Sequence, residues 1–83
     1  MPTSEAFRAE LEAQLARADA RQMAFIEIIS GELHRAVGGY PGPSHRMPAC
    51  CAIMRAAMRG ADRIIHAPSG QGATLRIRYH LPR

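Results

Sequence analysis

The hydrophobic positions near the start of the chain repeat at helical spacing. Four apolar residues follow one another at intervals of four, four and three positions: Phe7, Leu11, Leu15 and Ala18. This period places their side chains on one face of a helix from about Ser4 to Ala20, with Thr3 or Ser4 as its N-cap. The first predicted element is therefore an amphipathic helix.

A denser apolar stretch and a second, short helix follow. Residues 23–29, MAFIEII, are too apolar and too rich in β-branched side chains for an exposed helix, so they predict a short strand. Ser30 can cap a helix over Gly31–Val37, which the glycine pair after it brings to an end. The next stretch, GGYPGPS at residues 38–44, predicts a turn-rich connector because its prolines forbid helix.

A sulfur-rich face marks the third predicted helix, in the stretch SHRMPACCAIMRAAMRG at residues 44–60. Pro48 suits its first turn and Gly60 suits its C-terminal stop. Four side chains at helical spacing form the face that we expect to be buried: Met47, Cys51, Met54 and Met58. A second stripe lacks any large apolar side chain and is expected to face outward: Pro48, Ala52, Arg55 and Arg59.

Beyond Gly60 the hydrophobic period changes from helical to alternating. Residues 63–67 predict a strand, residues 68–72 a turn, and residues 73–81, ATLRIRYHL, a second strand. Alternate positions of the last strand are apolar: Leu75, Ile77, Tyr79 and Leu81. The positions between them hold Thr74, Arg76, Arg78 and His80. The sequence therefore predicts a β-hairpin with one buried face and one basic face.

Length and cysteine usage limit the class of protein. An 83-residue chain is expected to form a single domain over residues 1–83, because a core of this size cannot be divided. Cys50 and Cys51 are poorly placed for a mutual disulfide, since neighbouring helical residues point roughly 100° apart. Free thiols predict a reducing, cytoplasmic setting. No apolar run approaches the roughly 20 residues of a membrane span, so we expect no signal peptide and no membrane partner.

Charge is divided unevenly along the chain. Residues 1–32 contain six acidic residues and three arginines, whereas residues 33–83 contain eight arginines and one acidic residue, Asp62. The chain contains no lysine, and the planar guanidinium of arginine grips phosphate groups and guanine edges better than an ammonium group does. The basic half favours a polyanionic partner, and a solvated arginine face without a partner is the alternative.

Other chemistries are conceivable for the sulfur and imidazole groups. Cysteine and histidine are zinc ligands, but the adjacent cysteines lack the gap that lets a pair chelate one ion. A thiolate near His45 at a helix N-terminus would be an activated nucleophile, but no third residue is evident to orient it. We therefore expect no metal, no cofactor and no enzymatic activity. The thiols are expected to be buried beside methionine.

The remaining aromatic residues and histidines have ordinary expected roles. Phe7, Phe25 and Tyr79 are expected in the core. Tyr40 is expected to pack over the corner between the second and third helices, and His34 to be partly exposed on the second helix. With so few aromatic residues, stacking on single-stranded bases is not expected.

The order of the predicted elements resembles the winged helix-turn-helix, and it covers nearly the whole chain. The resemblance implies an α+β fold in which three helices pack with a small antiparallel β-sheet. The short early strand and the C-terminal hairpin, called the wing in that fold, would form the sheet. The strings SGELHRAVGGYPGPSHRMPACCAIM and GATLRIRYHLPR also resemble a small bacterial family of uncharacterised proteins, which implies no function.

The winged-helix resemblance implies DNA-contacting roles. In that fold the third helix lies in the major groove with its N-terminal residues at the base edges. The residues at that end are Ser44, His45, Arg46 and Ala49. The residues farther along the outward stripe are Ala52, Arg55 and Arg59, whose arginines would meet phosphates. The wing residues are Gln71, beside the minor groove, and Arg76, Arg78 and His80, along one strand's backbone.

Two hypotheses from different classes follow. The first is a double-stranded DNA-binding protein, a small transcriptional regulator or DNA-targeting module of a bacterium or mobile element. The second is a protein–protein interaction module of the same fold without nucleic-acid binding. A chain this small is expected to need a partner for affinity, and we expect a homodimer through the N-terminal helix with its Leu11 and Leu15 stripe.

Overall fold

The computed structural model describes residues 3–40, 42, 45–67 and 72–83 and forms six regular elements over them. In chain order these are α1 (Ser4–Ala20), β1 (Phe25–Ile29), α2 (Ser30–Val37), α3 (Met47–Ala56), β2 (Arg63–His66) and β3 (Arg76–His80). Over the described residues, three helices and a three-stranded antiparallel sheet make an α+β arrangement compatible with the winged-helix description. The predicted fold class and element order are confirmed.

Local interactions explain where the helices begin and end. The Thr3 hydroxyl accepts a hydrogen bond from the Ala6 N–H at 3.1 Å, which caps α1 at the predicted residue. α3 ends before Gly60, the predicted stop. Gly60, at φ +59°, belongs instead to a separate turn that the Asp62 N–H closes by donating to the Arg59 carbonyl at 3.1 Å.

The sheet has the strand order β1-β3-β2, and both neighbouring pairs are antiparallel. The early strand β1 adds to the C-terminal hairpin, as predicted, and β3 is the central strand. Its Ile77 lies opposite Ile28 on one side and Ile64 on the other, and Ile28 and Ile77 are buried in the core. β2 is irregular between Ile64 and His66. The predicted turn at residues 68–72 falls mostly outside the described residues.

β3 begins at Arg76 rather than Ala73 because the residues before it bind the start of α2. The Ser30 N–H donates to the Leu75 carbonyl at 2.8 Å, and the Gly31 N–H donates to the Ala73 carbonyl at 2.9 Å. A Cβ on Gly31 would lie 2.9 Å from that Ala73 oxygen, so this close approach requires glycine. The root of the hairpin is thereby fixed to the helical layer.

A single cluster of buried side chains joins the helices to the sheet. Its members are Phe7, Leu11, Leu15, Ile28, Leu33, Met47, Cys50, Cys51, Ile53, Met54, Leu75, Ile77 and Tyr79. Both cysteines are free and fully buried, as predicted. Met58 is partly buried against the same cluster. The Tyr79 hydroxyl donates to the Met54 carbonyl at 2.8 Å, which ties β3 directly to α3.

Two predictions of burial are wrong, and Ser30 is the first residue of α2 rather than its cap, its hydroxyl donating instead to the Gly72 carbonyl at 2.7 Å. Phe25 is 41% exposed rather than buried. Its register opposite His80 places it on the outer face of the sheet, where the Arg78 guanidinium lies over its ring at 4.5 Å. His34 is fully buried rather than partly exposed, because it lies on the side of α2 that packs against Phe7 of α1.

Candidate nucleic-acid interface

Three of the four residues predicted for the outward stripe lie on α3, whereas Arg59 lies beyond its end. Pro48 and Ala52 are exposed, Arg55 is half-buried, and Arg59 is exposed just beyond the end of the helix. At 100° per residue, positions 48, 52 and 55 fall within roughly 60° of one another around the helix axis. Among the described residues neither arginine makes an ion pair. No acidic residue occurs between residues 45 and 59, so the Arg55 guanidinium has no carboxylate beside it on its own helix.

The N-terminal end of α3, residues 45–49, contains most of the predicted base-contacting residues, and we call it the reading end. His45 is exposed, and Arg46 and Ala49 are half-buried. Ala49 also packs against the core. The predicted contact at Ser44 lies outside the described residues. Two polar side chains, those of His45 and Arg46, therefore reach the surface at this end.

Two histidines bind backbone N–H groups of the reading end. The Arg46 N–H donates to Nε2 of His34 at 2.9 Å, and the Met47 N–H donates to Nδ1 of His45 at 3.3 Å. The N–H groups of a first helical turn have no acceptor within the helix. The two imidazoles therefore supply acceptors for the N–H groups of the N-cap residue Arg46 and the first helical residue Met47.

The ring of His34 lies inside an aromatic cluster. Its centroid is 4.8 Å from that of Phe7, in edge geometry, and 5.3 Å from that of Tyr40. Tyr40 packs partly buried against the core, as predicted, and its ring lies 5.6 Å from that of His45. Because Nε2 of His34 accepts a hydrogen bond, the neutral ring carries its hydrogen on Nδ1. That buried Nδ1 has no hydrogen-bond partner among the described residues.

The arginines of β3 form a second basic surface, on the outer face of the sheet. Arg76 and Arg78 both bind Glu27 of β1, at 3.1 Å and 2.7 Å. The hydrogen bond from Arg78 and then that from Arg76 hold the pKa of Glu27 below its usual value. Arg63 lies opposite Arg78 in the strand register and adds a third guanidinium. His80 is half-buried at the end of β3.

The structure therefore brings the described contact residues together in two groups. The first lies on α3 and at its two ends: His45, Arg46, Ala49, Ala52, Arg55 and Arg59. The second lies on the face of β3 that points away from the helices: Arg76, Arg78 and His80. The groups belong to different layers of the fold, and two arginines of the second group, Arg76 and Arg78, form ion pairs with Glu27. Gln71 lies outside the described residues.

Asp62 joins the end of α3 to β3. Its side chain is 2% exposed and accepts hydrogen bonds from the His80 N–H at 2.7 Å, the Arg59 N–H at 3.0 Å and the Arg83 guanidinium at 2.6 Å. Arg83 also donates to the Ala57 carbonyl. Burial alone would raise the pKa of Asp62, but these hydrogen bonds outweigh it and lower the pKa. Nothing in the sequence pattern distinguishes Asp62 from a solvated charge.

A groove of about 670 Å³ lies between α1 and the end of α3. Leu11 and Leu15 contribute to its floor, but they are 1% and 8% exposed and belong to the core. The apolar stripe of α1 is therefore used within the monomer. The rim mixes both signs of charge, with Arg8 and Arg59 beside Asp19, so the groove has no clear preference for an anion.

The environment of the two thiols disfavours their reactive thiolate form. Burial, followed by the neighbouring Cys51, raises the pKa of Cys50 to about 12. Burial also raises the pKa of Cys51. Because the thiolate is the nucleophile and the metal ligand, neither side chain is activated. Over the described part of the chain, no three His, Cys, Asp or Glu side chains are grouped in a way that could hold a metal ion.

None of the helices within the described ranges combines the length and apolar character needed to cross a membrane. Comparison of the chain with protein-family models, with curated proteins and with solved structures gives no match.

Proposed function

We propose that the chain binds double-stranded DNA through the outward face of α3, with no cofactor and no enzymatic step. The observation that carries this proposal is the positive charge on that face and just beyond its C-terminal end, because Arg55 and Arg59 make no ion pair with a described residue. At 1.5 Å per residue, α3 is about 15 Å long. The small side chains of Pro48 and Ala52 let its backbone approach a duplex closely. A helix of this kind fits a major groove about 12 Å wide.

The two ends of the face have different tasks in this proposal. Arg46 at the reading end makes the base contact, because a guanidinium can bind guanine O6 and N7 bidentately. The exposed His45 and the small Ala49 line the same end. Arg55 and Arg59 contact phosphates, which supply affinity but carry no sequence information. A preference at a few base pairs, on top of sequence-independent binding, is the expected behaviour.

The basic residues of the wing supply a weaker second contact. They are Arg76, Arg78 and His80 of β3, with Gln71 as a further proposed contact earlier in the sequence. The first two arginines share the carboxylate of Glu27, so a phosphate must compete with an existing ion pair. We therefore assign most of the affinity to α3.

The charge distribution and the thiols support a particular biological setting. The acidic residues of α1 would orient the encounter by repulsion from phosphates. The two free cysteines suit a reducing compartment. We propose a small transcriptional regulator or DNA-targeting module that acts in the cytoplasm of a bacterium or for a mobile element.

Titration of a labelled duplex, followed by fluorescence anisotropy at several salt concentrations, tests the proposal. Binding should weaken with a log–log slope of about −0.9 for each phosphate neutralised. The double variant Arg55→Ala/Arg59→Ala should reduce the magnitude of that slope by about 2 and lower the affinity for all duplexes alike.

The matched control removes the same charge from α1. Arg17 and Arg21 are exposed at the end of that helix, and the variant Arg17→Ala/Arg21→Ala should leave the salt slope unchanged. Equal losses from both double variants would mean that net charge, and not the face of α3, drives binding. No association with any duplex at low salt would refute the proposal.

Protein–protein interaction without nucleic-acid binding is the second candidate function. Three apolar side chains are exposed on the two outer strands of the sheet: Phe25 (41%), Ile64 (41%) and Ile65 (43%). Exposed apolar side chains on an edge strand favour association. Self-association would then use the sheet or the exposed side of α1, since Leu11 and Leu15 are buried. A concentration-dependent mass that Ile65→Glu abolishes, together with no duplex binding, would establish this function in place of the first.

A further inference from the structure

We infer that His34 is a positioning residue that sets the base preference of the reading end, an inference that rests on the proposed DNA binding. The observation is the hydrogen bond at 2.9 Å from the Arg46 N–H to the fully buried imidazole Nε2. His34 belongs to α2, whereas Arg46 is the residue immediately before α3. The bond therefore links the two helices of the helix-turn-helix at the point where the proposed base contact begins.

Among the described residues, this bond ties a backbone N–H at the start of α3 to another helix. Pro48 has no N–H. The backbone donors immediately before it are the N–H groups of Arg46 and Met47. The Met47 N–H is bound by His45, a neighbour in the same loop, and that bond does not connect the loop to another helix. His34 supplies the connection, because its ring packs edge-on against Phe7 of α1 at 4.8 Å.

The unpaired nitrogen of His34 favours a role beyond packing. With Nε2 accepting, the hydrogen lies on Nδ1, which has no hydrogen-bond partner among the described residues. A leucine in this position would fill a similar volume and remove the unpaired nitrogen, but it would leave the Arg46 N–H without its acceptor. Histidine at this position therefore carries the free-energy cost of one unpaired buried N–H. We infer that the benefit which offsets this cost is the placement of Arg46.

Three variants separate positioning from simple stability. His34→Leu removes the acceptor and retains an apolar side chain of similar size. His34→Gln restores an acceptor oxygen close to the position of Nε2. Ile28→Val removes one methylene from the buried side of β1, far in sequence from the reading end, and serves as a control for modest destabilisation.

The experiment compares two duplexes for each folded variant. One is enriched by wild-type protein from a random duplex pool, and the other is a pool member that was not enriched. His34→Leu should weaken binding to the enriched duplex by about tenfold, the value of one good bidentate base contact. Its binding to the other duplex and its salt slope should stay unchanged, because the phosphate contacts remain. His34→Gln should restore the preference, and Ile28→Val should keep it.

Amide hydrogen exchange gives an independent readout. The Arg46 amide should exchange faster in His34→Leu than in wild type or His34→Gln, whereas amides of β3 should exchange at the same rate in all three. A His34→Leu protein that keeps the wild-type base preference, or that loses affinity for both duplexes by the same factor, overturns this inference while leaving the proposed function intact. Wild-type protein that binds duplexes without any preference also overturns it. Wild-type protein that binds no duplex overturns both.

Discussion

Replacing Asp62 by alanine tests the contact that holds the end of α3 against the sheet. The carboxylate accepts two backbone N–H groups, those of Arg59 and His80, and it forms an ion pair with Arg83. The side chains of Asp62 and Arg83 are 2% and 10% exposed. The variant would leave a nearly buried guanidinium without its counter-charge and two N–H groups without an acceptor.

The expected loss of stability is large for a domain of this size. Removing one member of a buried ion pair costs about 3–5 kcal/mol, whereas an 83-residue domain is stable by roughly 4–12 kcal/mol in total. The double variant Asp62→Ala/Arg83→Met should recover part of that loss, because it leaves no unpaired buried charge.

The pH dependence follows from the lowered pKa of Asp62. A carboxyl whose pKa is lower in the folded state stabilises the fold fully above its unfolded value of about 3.9. That contribution disappears as the pH falls through the lower, folded value. The stability difference between wild type and Asp62→Asn should therefore be constant near neutral pH and should shrink below about pH 4.

Urea unfolding monitored by circular dichroism between pH 3 and pH 7 measures both effects. The midpoint and the slope together give the free energy of unfolding for wild type, each single variant and the double variant. A loss below about 1 kcal/mol for Asp62→Ala would place this pair with ordinary surface ion pairs and refute the reasoning. A pH-independent difference between wild type and Asp62→Asn across the acid range would refute the assignment of the lowered pKa.

Three further predictions concern other parts of the fold. Gly31→Ala should lower the free energy of unfolding by about 1–3 kcal/mol, because its Cβ would press on the Ala73 carbonyl at 2.9 Å and disturb the bond there; an unchanged urea midpoint would show that the backbone yields freely. Cys50 and Cys51 should resist alkylation at pH 8 in the folded protein and react on unfolding, since burial raises both pKa values; mass spectrometry of the iodoacetamide-treated native protein would reveal any early adduct. Glu27→Gln should tighten duplex binding at low salt by releasing its two arginine partners; unchanged anisotropy titrations would remove β3 from the proposed interface.

Periodicity was enough to predict the helices and the buried face of β3. In α1 the repeat of apolar residues identifies a single stripe, and the alternation in β3 identifies Leu75, Ile77 and Tyr79 as buried. Both patterns have one apolar and one polar face. A local pattern of that kind determines which side turns inward without any knowledge of the partner.

β1 and α2 are not divided so clearly into an apolar and a polar face, and both wrong predictions of burial, those for Phe25 and His34, lie in these two elements. The sequence FIEII is apolar on both faces, so only its pairing with β3 puts Phe25 outside and Ile28 inside. His34 lies four residues after Ser30 and three before Val37, which is the core-facing spacing of a helix. This spacing indicates burial, whereas the polar imidazole by itself favours exposure.

Only part of the candidate site could be predicted from the sequence. The outward direction of Ala52 and Arg55 follows from helical spacing within a single element. The sharing of Glu27 by Arg76 and Arg78 depends on register between strands that are about fifty residues apart in the chain. The capping of Arg46 by His34 likewise depends on how α2 and α3 pack.

The sequence by itself determined the class of fold, the order of elements and the concentration of arginine in the second half of the chain. Those properties depend on residue identity and short-range spacing, which the chain carries before it folds. Only the tertiary structure decided which arginines keep their charge uncompensated and which are bound to a carboxylate. An ion pair depends on the distance between groups that are remote in sequence, and that distance exists only once the sheet and the helices have packed together.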